Sequence, residues 1–160
     1  MIVSFFESLK YVGHLYPITF LRMLVGYYYA QEAYKSYYGD FLTQPRLAAQ
    51  INEWLPKHEV PEFYRAFFEK TMVTHWQPFA YVITFLFMVI GVSYLLGFLV
   101  RPIALIALII SWHFLYISSP EVVTVNKMLL IVNFSLCWIG AGRCLGFDYY
   151  FFKRHRGILW

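Results

Sequence analysis

Few side chains in this sequence can do chemistry in an apolar setting, and Arg22 stands out among them. It lies inside ITFLRMLVGYYYAQEAYK, residues 18–35, a stretch apolar enough to enter a membrane. On insertion scales an arginine at the centre of a span costs roughly 3 kcal/mol, so such a residue usually marks a contact. Its planar guanidinium suits bidentate donation to a carboxylate or a phosphate. Acids are scarce: none occurs from Pro78 to Pro120 or from Val122 to Phe147. Glu32 is ten residues along the same helix, ~15 Å away at 1.5 Å per residue. Three partners remain: Asp148 as a clamp between helices, a polar ligand head such as a lipid phosphate or quinone carbonyl, and Asn133 or a freed backbone carbonyl. Arg22 lies ~10 Å from the near end of its span, so it can also snorkel that way.

The other candidates are weaker. His75 and His113 could ligate a haem only from facing helices, and no recognisable spacing supports that. Asn126 and Asn133 are seven residues apart and share a helix face, with Ser111 at similar depth on the preceding span. Such residues join helices by hydrogen bonds or line a pocket. Arg22, Asn133 and His113 are the candidate residues for a quinone or lipid pocket. Cys137 and Cys144 have the same seven-residue spacing, ~10 Å along a helix, too far for a disulfide within one helix. Tyr27, Tyr28, Tyr29, Tyr34, Tyr37 and Tyr38 read as an aromatic belt at one interface, and FDYYFF with Trp160 marks the other. No phosphate loop, HExxH, GxSxG, paired-carboxylate or CxxC motif occurs, so catalytic residues are unassigned and no metal site is expected.

The elements that must hold these residues follow from composition. Of 160 residues, 60% are hydrophobic and 14% charged, too little polar surface for a soluble globule. The expected fold is all-α: one domain over 1–160, four antiparallel transmembrane helices, and amphipathic helices in a long loop. A span needs about 20 mostly apolar residues. The spans are placed at about 15–34, 78–99, 102–118 and 122–142, and the outer amphipathic segment at 40–77. Within that segment LAAQINEWL (47–55) and PEFYRAFFEKTMVTHW (61–76) carry helical periodicity, with Phe63, Phe67, Met72 and Val73 on one face. Gly26, Gly91 and Gly97 would allow close helix approach. The start, MIVSFFESLKYVGH, lacks a cleavable-signal pattern.

Net charge is +4, and the only basic cluster, KRHR at 153–156, follows an apolar segment. That is a membrane-side signature, not a nucleic-acid stripe. Lys10, Arg101, Arg143, Lys153, Arg154 and Arg156 crowd short segments beside the spans, so both termini are placed in the cytoplasm.

The order of several motifs resembles the DoxX/DoxD-like small membrane proteins. Arg22, Gly26 and Lys35 resemble their first span, and PEFYRAFFEKTMVTHWQPFAYV their pre-span helix. GVSYLLGFLVRPIALIAL (91–108) is similar to their second-to-third span junction, and IGAGRCLGFD (139–148) to their closing glycine-rich turn. Where family members often carry a glutamate, three residues before the glycine matched by Gly91, this chain has Met88; the second span thus lacks the obvious acid for proton-coupled chemistry. The resemblance implies a small integral subunit of a larger membrane complex in a bacterial or archaeal inner membrane, linked to quinone-dependent electron transfer and without a redox centre of its own. Its partners would be other membrane subunits and the lipid bilayer, with a bound quinone or lipid as the only cofactor. The family's breadth leaves two alternatives: the quinone-reducing membrane subunit of a thiosulfate:quinone oxidoreductase-like enzyme, and an assembly factor or chaperone for membrane proteins.

Overall fold

The computed structural model describes residues 16–143 and 146–148. Among them the fold is all-helical, without strands. Helix α1 spans Tyr16–Tyr38, α2 Arg46–Trp54, α3 Glu62–Phe67, α4 Trp76–Leu96, α5 Val100–Ile117 and α6 Pro120–Ile139. A 3-10 turn, Leu55–Lys57, follows α2, and a π-helical stretch, Phe68–Val73, continues α3.

Helices α4, α5 and α6 are long and apolar enough to cross a membrane. Helices α4 and α6 end three residues before the expected spans, because glycine stops both, and α5 ends one residue before. Gly97 and Gly140 adopt the left-handed conformation, φ +67° and +68°, which ends a helix at little steric cost. Pro120 opens α6 at a position where its missing N–H is not needed.

Helix α1 packs antiparallel along α4, and α5 pairs with α6. The α1–α4 contact is close because two glycines face it. A Cβ on Gly91 would come within 2.8 Å of the Ala30 nitrogen, and one on Gly26 within 2.9 Å of the Tyr94 Cβ. One apolar core gathers Val25, Tyr29, Ile90, Tyr94, Ala104, Ala107 and Leu136. A second lies at the end where the 39–75 segment sits, the loop end. There Leu47, Ile51 and Leu55 of the α2 region and Phe68 and Met72 of the π stretch cover Ala80, Ile83 and Ile117.

The loop segment thus contains helices, and of the face expected to be buried Met72 is buried and Val73 packs half-buried beside it, whereas the two phenylalanines do not. Phe63 is 84% exposed and Phe67 is exposed too, whereas Phe68 is buried completely. Phe63 and Phe67, four residues apart, share one side of the helix, and the buried side is the next one round, where Phe68 and Met72 are also four apart.

Candidate functional site

Two buried polar constellations stand out. The first is at the end opposite the loop, where the α4–α5 turn meets the chain after α6. Arg22 is fully buried there. Its Nη1 donates to the backbone oxygen of Ala141 at 2.7 Å, a carbonyl freed because Gly140 has ended α6. Asp148 is buried beside it. Its carboxylate accepts from the Leu99 amide at 2.7 Å and the Val100 amide at 3.0 Å. These are the orphan N–H groups at the start of α5, where a carboxylate also complements the helix dipole. The Asp148 amide donates to the Gly97 oxygen at 3.0 Å, so the two segments are tied in both directions.

The turn between the helices is shaped for this. Leu99 has φ +52°, a strained conformation for a branched side chain, fixed by the carboxylate on its amide. Gly97 has no room for a Cβ, which would lie 2.6 Å from Arg22 Nη1 and 2.6 Å from the Gly146 Cα. Burial pushes the Asp148 carboxyl above its ordinary value; the Val100 and Leu99 amides and the charges of Arg22 and Arg101 pull it back down. The structure therefore brings Arg22, Gly97 and Asp148 to one junction. Of the three kinds of partner open to Arg22, a freed backbone carbonyl is the one its Nη1 touches.

The second constellation lies deeper and draws one side chain from each of four helices: Tyr29 of α1, Tyr94 of α4, Ser111 of α5 and Asn133 of α6. The Tyr94 hydroxyl donates to Asn133 Oδ1 at 2.8 Å. Asn133 Nδ2 donates to the Tyr29 hydroxyl at 2.9 Å and, more weakly, to Ser111 Oγ at 3.4 Å. Tyr29 and Ser111 share a further bond at 3.1 Å. All four residues are buried, and Asn133 spends both donors and its acceptor inside the network.

The expected aromatic belt therefore needs correcting at Tyr29, which is 2% exposed and part of this network. Tyr27, Tyr34, Tyr37 and Tyr38 are exposed. Sequence reasoning also passed over Tyr94. For Tyr29 a signal existed: it follows Arg22 by seven residues, the spacing that placed Asn126 and Asn133 on one face.

Arg22, Asn133 and His113 have separate sets of neighbours among the described residues. Arg22 sits ~10 Å along α1 from the level of Tyr29 and Asn133. The His113 ring packs against Tyr64 of α3 and Phe68, centroids 5.6 and 6.2 Å apart, with Nδ1 2.7 Å from the Ile109 oxygen. His75 is exposed at the start of α4. Cys137 is a half-buried free thiol, and Cys144 lies outside the described residues. Asn126 is buried with Nδ2 hydrogen-bonded to nothing among the described residues. Outside the spans, burial and the neighbouring Tyr116 push the Tyr64 hydroxyl up to about 12.

Among the described residues no three His, Cys, Asp or Glu side chains gather where they could hold a metal. Comparisons with protein-family models, with curated proteins and with solved structures find no match.

Proposed function

We propose that this chain is a four-span antiparallel bundle that serves as a small subunit of a larger membrane assembly. The observation that carries the reading is the closure of two buried polar clusters. Tyr29, Tyr94, Ser111 and Asn133 bond to one another, and Arg22 and Asp148 bond to backbone at a helix junction. Interior side chains so used hold helices together instead of meeting a substrate.

The same bonds support α1 as the fourth span. Its 23 residues give ~34 Å at 1.5 Å per residue, enough for the ~30 Å hydrocarbon core. Its one deep charge is buried against a carbonyl with a carboxylate at the same junction, not turned to lipid. Both termini then lie on one side, the cytoplasmic one by the crowding of Arg101, Arg143, Lys153, Arg154 and Arg156, in a bacterial or archaeal inner membrane. The outward faces suit lipid and partner subunits: Met128, Ile131, Phe134 and Trp138 form an exposed apolar stripe on α6.

The motif resemblance to DoxX/DoxD-like proteins ties the assembly to quinone-dependent electron transfer, with the redox centres on partner subunits. The test separates subunit from enzyme. The purified chain, supplied with thiosulfate and a short-chain quinone, is expected to reduce no quinone. Thiosulfate-dependent reduction by the chain alone overturns the reading in favour of an enzyme.

A further inference from the structure

Between α1 and α4, toward the loop end, lies a cleft of about 700 Å³, within the range of ligand pockets. Small or compact residues make room for it: Ala33 and Thr84 are both buried and line it. One end lies beside Ala30, Met88 and Val92. The other end, toward the loop, carries Tyr34, Tyr37, Tyr38 and Tyr81.

Three features define what fits. The first is length. From Tyr81 to Val92 the cleft follows α4 for ~16 Å, about half of the ~30 Å hydrocarbon core, so it matches a chain anchored in one leaflet. The second is charge. Among the described residues no Lys, Arg, His, Asp or Glu lines the cleft, so a charged head drawn to this depth would meet no counter-charge from them. The third is polarity at the mouth. None of the four tyrosine hydroxyls hydrogen-bonds within the described residues, which leaves them free for a ligand head at interfacial depth.

We infer that the α1–α4 cleft is a binding site for a long-chain amphiphile with an uncharged, hydrogen-bonding head, held tail-first in the loop-side leaflet. The tail runs down to Met88 and Val92, and a head hydroxyl or carbonyl meets the tyrosines. The inference rests on the reading of α1 as the fourth span but not on the assembly, because both walls of the cleft belong to one chain.

The experiment uses two diazirine-bearing probes of equal chain length, a long-chain alcohol and the matching alkyl phosphate. Each is photoreacted with the full chain in vesicles, and labelled peptides are mapped by mass spectrometry. The alcohol is expected to label residues 30–42 and 81–92 preferentially, with the phosphate well behind. Met88→Trp, at an exposed position, fills the cleft and should remove that labelling. Changing Tyr34, Tyr37, Tyr38 and Tyr81 together to Phe keeps the walls and should lower it about tenfold, the scale of one or two hydrogen bonds. Thermal unfolding close to wild type shows that the variants fold. Equal labelling by both probes, labelling that survives Met88→Trp, or labelling no stronger in the cleft than around Trp138 would overturn the inference in favour of ordinary boundary lipid.

Discussion

Replacing Asn133 by alanine tests the four-helix network most sharply. The change removes two good hydrogen bonds, at 2.8 and 2.9 Å, and one long one at 3.4 Å. Interhelical hydrogen bonds in membranes contribute ~0.6 kcal/mol on average and at most ~1.7, so the two good bonds account for ~1–3 kcal/mol. Loss of contacts at a fully buried site and a stranded Tyr94 hydroxyl add to this, giving ~2–4 kcal/mol in all. Asn126→Ala is the control: it is the same substitution on the same helix, at a buried site whose Nδ2 has no partner among the described residues, and should cost under ~1 kcal/mol. The assay is equilibrium unfolding in mixed micelles, followed by tryptophan fluorescence. A cycle with Tyr94→Phe should return a coupling of ~1 kcal/mol for the Tyr94–Asn133 bond. If Asn133→Ala costs no more than Asn126→Ala, or the coupling is zero, the network is not what holds the four helices in register.

The junction makes further predictions by the same assay. Arg22→Ala should cost ~3–5 kcal/mol, because it leaves Asp148 buried without its neighbouring guanidinium; pairing it with Asp148→Ala should cost less than the two single changes added, and strict additivity would contradict the shared junction. Gly97→Ala should destabilise by ~2 kcal/mol or more, from the left-handed backbone and the crowding against Arg22 and Gly146, and a neutral result would show that the turn is looser than described. For pH, the folded Asp148 carboxyl sits above its ordinary 3.8, so its linked stability is present in full below that value and lost as pH rises through the folded one. The advantage of wild type over Asp148→Asn should therefore be larger near ~pH 4 than near ~pH 7, and an advantage that shrinks on acidification contradicts the direction of the shift.

Long apolar runs and scarce acids made the helices and the depth of Arg22 readable in advance, because burial in lipid demands both. Exact helix ends were not readable from hydropathy, since the apolar character continues past Gly97 into Phe98 and Leu99 while the backbone has already turned. Tyr29 was misplaced for a different reason: a tyrosine is equally at home in an interfacial belt and in a hydrogen-bonded core, and only helical phase separates the two. The buried face of α1, Thr19, Arg22, Val25, Gly26, Tyr29 and Ala33, follows steps of three and four that were available in the sequence. Phe63 and Phe67 failed by phase as well: Phe67 and Phe68 are adjacent aromatics, and residue type does not say which of the two faces the core. That Asp148 would hold the Leu99 and Val100 amides needed the structure, because backbone donors leave no mark on residue type.

Native mass spectrometry of material extracted in the mildest detergent that frees it from its membrane tests the central claim directly. A small subunit should appear in a particle much heavier than one chain, at a fixed ratio to the same partner subunits across preparations. A chain that flies only by itself, or with partners in variable and substoichiometric amounts, would contradict its role as a subunit of a larger membrane complex.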